Sequence, residues 1–253
     1  MAGYPELRIV GITGMPEVRA GDDLSALILD AADQQGTPIE DGDILVVAQK
    51  VVSKAEGILI SLDQITPSAL AQTIADRWDK DARHVEVVLQ ESRRIVRMDH
   101  GVLITETHHG FVCANAGVDA SNVPGEDTVS PLPRDSDASA RAISQGIKER
   151  SGRTVAIIVA DTFGRPWRDG ATNVAIGLAG INPLKDYRGM PDLNGREMRV
   201  SISAIADELA GATELVMDKT AAVPVAFVRG LSYEAGSASI ADMLRDSSTD
   251  LFR

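Results

Sequence analysis

VAIIVADTFGRPWRDG, Val155 to Gly170, is the stretch on which the fold turns. Its first half is a strongly apolar run of strand length, the pattern of a buried strand in a layered fold. The strand is expected to end at Asp161-Thr162, ahead of the turn-rich Phe163-Gly164-Arg165-Pro166. A carboxylate at the tip of a rigid strand is a common site geometry, because the strand fixes it and the tip is open. There Asp161 can bind Mg2+ or Mn2+, Thr162 can add an oxygen, and Arg165 or Arg168 can meet a phosphate. The alternative is that Asp161 merely caps a turn or helix.

One carboxylate makes a poor cation site, so a second must come from elsewhere. ETHHGFVCANAGVDASN, Glu106 to Asn122, is the best source. Its small residues let backbone approach a ligand, Gly117 permits a tight bend, and Asp119 is its best ligand for a hard metal. His108 and His109 are adjacent, so on an extended backbone they point to opposite faces and cannot converge on one ion. Cys113, the chain's single cysteine, is expected to pack rather than react. A structural loop with self-capping side chains is the competing account of this segment. Two carboxylates holding cations against phosphates would fit phosphoryl transfer.

Upstream, Ile44 to Ala48 reads as a short buried strand, and QKVVSKAEG, Gln49 to Gly57, follows it directly. Lysines at a strand end can reach phosphate oxygens, although solvated lysines on a surface turn would look the same. No GxxxxGK[ST] occurs, so a nucleotide would be held by another geometry. ESRRIVR, Glu91 to Arg97, is the densest basic cluster, able to clamp anions or to pair with nearby acids.

Further strands are expected at Leu7–Ile12, Val85–Leu89, Gly101–Thr105, Phe111–Ala114 and Val225–Val228, the last on an edge or strand-initial because of Pro224. Helices are expected from Asp22 or Asp23 (Leu24, Leu27, Ile28 and Ala31 inward), from Thr66-Pro67 (Leu70, Ile74 and Trp78 inward) and from Ser136 or Asp137 (Ala140, Ile143 and Ile147 inward). A fourth carries Ile202, Ile205, Leu209 and Leu215, with Gly211 its weak point. Leu184 to Gly195 reads as a functional turn or a dimer arm. Beyond Ala235 a frayed tail or loosely attached short helix is expected.

The chain has 253 residues, enough for one large domain or two interlocked ones. No run of about 18 apolar residues occurs, so no membrane span is expected, and no signal peptide is indicated. One cysteine fits a reducing compartment and excludes an intrachain disulfide. The formal charge of -12 and 4% aromatic content argue against nucleic-acid binding, while a local basic cluster still permits an anionic small substrate.

Taken together, QKVVSKAEG, THHGFVCANAGVDASN, LPRDSDASA, DTFGRPWRDGATNVAIGLAG, DYRGMPDLNG, ADELAGATELV and VPVAFVRG give a chain that resembles the coenzyme F420-0:L-glutamate ligases, also called F420:gamma-glutamyl ligases, from about Leu7 to Leu231. The resemblance implies an α+β fold of mixed sheets and helices in an intertwined homodimer, with a ligase domain over residues 1–234, as one unit or two interlocked subdomains, and a C-terminal tail over 235–253. It implies a cytoplasmic enzyme that adds L-glutamate to F420-0, and in some cases further γ-linked glutamates, using GTP and an acyl-phosphate intermediate. The cofactors implied are Mg2+ or Mn2+, with K+ as an option. The flavin-binding domain of the longer family form has no counterpart, so no flavin is expected. Residue by residue, Asp119 and Asp161 match divalent-metal aspartates and Thr162 a ligand of a second metal. Asn122 matches a nucleotide contact. Ile12, Thr13, Gly14, Met15, Ser53, Lys54, Lys219 and Thr220 fall in segments that line the nucleotide site. The chain departs from the commoner pattern at Asp218, where the family often has glycine. A related nucleotide-dependent amide ligase on another acid, or a non-catalytic nucleotide-binding dimer, are the competing functions.

Overall fold

A computed structural model describes residues 4–250. In chain order the strands and helices are β1 (Arg8–Ile12), α1 (Leu24–Gln34), β2 (Ile44–Ala48), α2 (Gln49–Ala55), β3 (Ile60–Ser61), α3 (Ala69–Trp78), α4 (Ala82–Gln90), β4 (Ser92–Asp99), β5 (Val102–Thr107), β6 (Val112–Ala114), β7 (Thr128–Val129), α5 (Ser136–Ser151), β8 (Ala156–Arg165), β9 (Arg168–Ala179), β10 (Leu184–Asp186), β11 (Ile202–Ala204), α6 (Ile205–Met217) and β12 (Val225–Arg229). This is a mixed α/β fold with several sheets. No described helix is long and apolar enough to cross a membrane.

The main sheet has the order β1-β12-β2-β8-β9. Among the described residues its one parallel pairing is β2 with β8; the neighbours run antiparallel. Both faces are covered, which is why β2 and β8 are continuous apolar runs rather than alternating ones. Leu45, Val47, Ile157, Val159, Val225 and Phe227 point into a core shared with α1 and α5. Their neighbours Ile44, Val46, Ile158, Ala226 and Val228 point into a second core under α6. A third core joins α3 and α4 to Leu103, Val118 and Val129, and so builds a separate lobe over the sheet.

The helix ends follow local chemistry. Asp23 caps α1 by accepting from the Ala26 N–H, and Asp135 caps α5 by accepting from the Ala138 N–H. Gly152 closes α5 in the left-handed conformation. Gly177 has a different reason to be glycine: a Cβ there would lie 2.4 Å from the Ser136 backbone, so β9 and the start of α5 could not meet.

Several expectations need correction. Val85–Leu89 lies in helix α4: the Asp81 cap and the packing of Val85 and Val88 against α3 override the strand preference of a valine-rich run. QKVVSKA is helix α2 rather than a turn. Helix α3 starts after a Ser68 cap and buries Ala71, Ile74 and Ala75, leaving Leu70 exposed. Ile202 belongs to β11, and Leu215 points outward from α6. Pro224 is strand-initial but β12 is an interior strand. Strand β8 continues to Arg165 and turns back as a long hairpin with β9. The segment after Ala235 contains a 3-10 turn, Ile240–Met243, tied down where the Ser239 hydroxyl and the Ile240 N–H donate to Asp137; positions 251–253 of the expected tail lie outside the described residues.

Two glycines test this packing in opposite directions. Gly177→Ala is expected to cost about 1–3 kcal/mol through overpacking against α5. Gly211→Ala, inside α6 with only an ordinary 3.5 Å contact for its new methyl group, is expected to gain about 0.5–1 kcal/mol from helix propensity. Urea unfolding of the two variants measures both signs.

Candidate active site

The site forms where the sheet pairing runs out. β2 and β8 pair until Ala48 and Ala160, after which the chain of β2 turns into α2 while β8 goes on. Asp161 is therefore the first β8 residue without a β2 neighbour. β1 ends at Ile12 opposite Val225, where β12 begins, so the segments around Met15 and Met217–Pro224 reach the same margin. A cleft of about 880 Å3 opens there. β1, β2 and β8 point the same way, so the cleft lies beyond their carboxyl ends, the usual ligand position in open sheets.

The opposite wall comes from the lobe. Asp119 is fixed by paired backbone bonds with Ser130, at 3.0 and 2.8 Å. The turn before it is left-handed at Asn115 (φ 51°), Ala116 (φ 53°) and Gly117 (φ 70°). Asn122, Asp218 and Ala222, all on the cleft wall, also have positive φ. Of eight described non-glycine residues with positive φ, five thus belong to the site or its approach, and strain of about 1–3 kcal/mol each persists only where surrounding structure holds it.

The charges oppose one another across the cleft. The Lys50 ammonium donates to Asp119 Oδ2 at 2.7 Å and to Ser121 Oγ at 3.0 Å. Burial acts to raise the Asp119 pKa, but the bonds from Lys50 and the Ser121 N–H hold it below the ordinary value. Asp161 behaves in the opposite way. Burial first, and the Asp119 charge with it, push its pKa up to about 6, against the Thr162 N–H and the charges of Lys50 and Lys219. Burial and the Asp161 charge push the Cys113 thiol up to about 12, which makes it a packing residue and no nucleophile.

The donor set fits a hard divalent cation completed by phosphate oxygens. Among the described residues no group of three or more His, Cys, Asp or Glu forms a ligand cage. Two carboxylates with a hydroxyl beside them match instead the way Mg2+ is held, by one or two carboxylates plus substrate phosphates and water. Lys50 shows that Asp119 already takes a cation. Asp119 and Asp161 could hold one such ion, and Thr162, next along β8 and on its other face, could offer an oxygen to a second.

Of the residues picked out from the sequence, Met15, Lys54, Asp119, Asn122, Asp161, Thr162, Lys219 and Thr220 line the cleft together. Lys54 pairs with Glu17 at 2.5 Å, and Asn122 reaches the Lys219 carbonyl at 3.5 Å. Ile12 is wholly buried in the core, and Ser53 is buried beneath the cleft, donating to the Pro131 carbonyl at 2.9 Å. Thr13 is tied to Gln35, and neither it nor Gly14 lines the cleft. Arg165 bonds back to the Asp169 and Gly170 carbonyls of its own hairpin and is not brought to the carboxylates. The His108 and His109 rings bond the Gln90 and Pro133 carbonyls, outside the cleft.

Glu17 and Glu214 line the cleft without having been singled out from the sequence. Helix α2 sets Lys50 and Lys54, the two lysines of QKVVSKAEG, four residues apart on one face. Glu214, within α6, gave no local signal.

A family model described as F420-0:gamma-glutamyl ligase matches residues 13–230. The chain belongs to this family. Among its relatives is the coenzyme F420:L-glutamate ligase of Methanothermobacter thermautotrophicus, 45% identical over 250 residues, covering 98% of this chain and 99% of that protein. The enzyme of the same name from Methanopyrus kandleri is 46% identical over 258 residues, covering all of both chains. That of Archaeoglobus fulgidus is 38% identical over 248 residues, covering 98% and 96%. The F420-0:gamma-glutamyl ligase match runs across both walls of the cleft, so the lobe and the sheet belong to one family unit.

The raised Asp161 pKa sets a sign for stability. Below about pH 4 the carboxyl is protonated in both folded and unfolded chains and costs nothing. As pH rises through about 6 the unfolded chain ionises first, and stability is lost. In EDTA at pH 7.5, Asp161→Asn is expected to stabilise the protein by about 3 kcal/mol, and the gain should vanish near pH 4. Denaturant titrations at the two pH values check it.

Proposed function

We propose that this chain joins L-glutamate to coenzyme F420-0, using GTP and an acyl-phosphate intermediate. The observation that carries the proposal is the meeting of Asp119 and Asp161, from two different lobes, across one cleft that Lys50, Lys54 and Lys219 also line. A carboxylate does not react with an amine until one oxygen becomes a leaving group. The acceptor carboxylate oxygen attacks the γ-phosphorus, the bond to the β–γ bridging oxygen breaks, and GDP leaves. The glutamate nitrogen then attacks the acyl carbon, the carbon–oxygen bond to phosphate breaks, and the amine gives up its proton to complete the amide. When bound, Mg2+ or Mn2+ would neutralise charge on the phosphoryl oxygens.

The protein's own groups supply position and charge. Lys50 can leave Asp119 for a phosphate as a mobile point charge, and Lys54 and Lys219 flank the same path. Asn122 and Thr220 offer polar contacts to the nucleotide at the junction of the lobes. The core of α3 and α4, which takes in Ala116 and Val118, holds the turn that carries Asp119 on the cleft wall.

The enzyme unit is taken as residues 1–234, working in the cytoplasm as a homodimer. Its β8–β9 hairpin and the segment from β10 to β11 carry Trp167, Met190, Leu193 and Val200 exposed, the last two almost fully. Apolar residues grouped on projecting segments suit burial against a second copy.

Incubation with F420-0, GTP, L-glutamate and Mn2+ should give a product heavier by one glutamyl unit, read by mass spectrometry. Asp119→Asn and Asp161→Asn should each lower turnover by about 100-fold or more with the fold intact, the loss expected when charge stabilisation of the transition state is removed. Glutamyl transfer to a different acid, with none to F420-0, would sink the substrate assignment. For the assembly, a Leu193→Asp, Val200→Asp double variant should sediment as a monomer where the parent sediments as a dimer.

A further inference from the structure

Thr162 and Asn173 face each other directly across β8 and β9. That pairing depends on a bulge: Val159 is opposite Gly177 and Ala160 opposite Ala175, leaving Ile176 as the extra residue. Without it the register past Ala160 would slip by one, and every following β9 side chain would change face. The bulge thus brings Asn173, which is 5% exposed, against the Thr162 hydroxyl on the face that α6 covers. The Thr162 hydroxyl donates to Asn173 Oδ1 at 2.7 Å, and Asn173 Nδ2 donates to Glu214 Oε2 at 2.9 Å.

This chain of bonds has a direction. A carboxylate only accepts, so Glu214 requires the NH2 end of the Asn173 amide. The amide oxygen is then turned to Thr162, and the hydroxyl has to spend its single proton there. Only its lone pairs are left for the cleft.

We propose that Asn173 and Glu214 are positioning residues that set Thr162 as a pure oxygen acceptor toward the cleft, in the state a metal ligand requires. This rests on the assignment of Thr162 as a ligand. Outer partners of this kind are worth about 10- to 100-fold in metal affinity.

The test is Mn2+ titration of the protein with GDP, followed by the EPR signal of free ion, in a double-mutant cycle. Asn173→Ala should weaken Mn2+ binding by about 10-fold. In a Thr162→Val background the same change should have less than about a 2-fold effect, because its route to the metal is gone. Thr162→Ser, which keeps the hydroxyl, should bind like the parent. Glu214→Ala leaves the amide free to flip, and should cost about 2-fold or more even if Asn173→Ala fails to fold. Unchanged binding in both Asn173→Ala and Glu214→Ala overturns the relay, while loss in Thr162→Val keeps the ligand assignment. A full Asn173→Ala effect in the Thr162→Val background also overturns it, since the change then acts through general loosening. If Thr162→Val itself binds Mn2+ normally, the ligand assignment falls and the relay with it.

Discussion

Everything in the site depends on an unequal pairing between two parallel strands. β2 and the first half of β8 are buried, with apolar side chains on both faces, so their register is firmly specified. Yet β2 stops at Ala48 while β8 runs on to Arg165. Up to Ala160 the backbone groups of β8 are bonded on both sides; beyond it the side once occupied by β2 is open. The opening is thus set by the most rigid part of the molecule, and a carboxylate placed one residue past it has little freedom to drift.

The rest of the site follows from that opening. A buried carboxylate is costly, and Asp161 shows the cost in its raised pKa. Bringing Asp119 toward it makes the cost greater. The Lys50 ammonium bonds Asp119 and reaches Asp161 only through its charge, so Asp161 stays raised. A pair so arranged is a setting that favours a divalent cation between the carboxylates. Backbone strain around Asn115, Ala116, Asn122 and Ala222 lies in the same place, and the three packed cores away from the cleft sustain both burdens.

Much of this was legible in the sequence, and the rest was hidden for physical reasons. β2, β12, α1 and α5 were readable because a continuous apolar run, an Asp cap and a closing Gly152 are local signals. Asp119 and Asp161 were readable because each follows or joins a segment whose other residues are small or apolar. Helix α4 was misread as a strand: a valine-rich run favours a strand locally, and only packing against α3 decides otherwise. The end of β8 was misplaced because Phe163-Gly164 looks like the start of the turn, whereas the chain turns farther on, at Pro166-Trp167. That longer hairpin is also why Arg165 lies outside the cleft. The bond between Asn173 and Glu214 could not be read from the sequence, since a strand residue and a helix face meet only in three dimensions.

Asp218 ties these threads together. It ends α6 at φ 48° and ψ 147°, near the part of backbone space that is comfortable almost only for glycine. The backbone of this chain therefore keeps the glycine shape without the glycine. What sustains it is visible: the Asp218 carboxylate accepts from both the Thr220 N–H and the Thr220 hydroxyl, at 2.7 Å each. The side chain that makes the conformation expensive also supplies bonds that hold it, and the loop still presents Lys219 to the cleft. The constraint visible in this chain is on the path of the backbone beside Asn122, and the two bonds from Thr220 are what hold that path with a side chain in place.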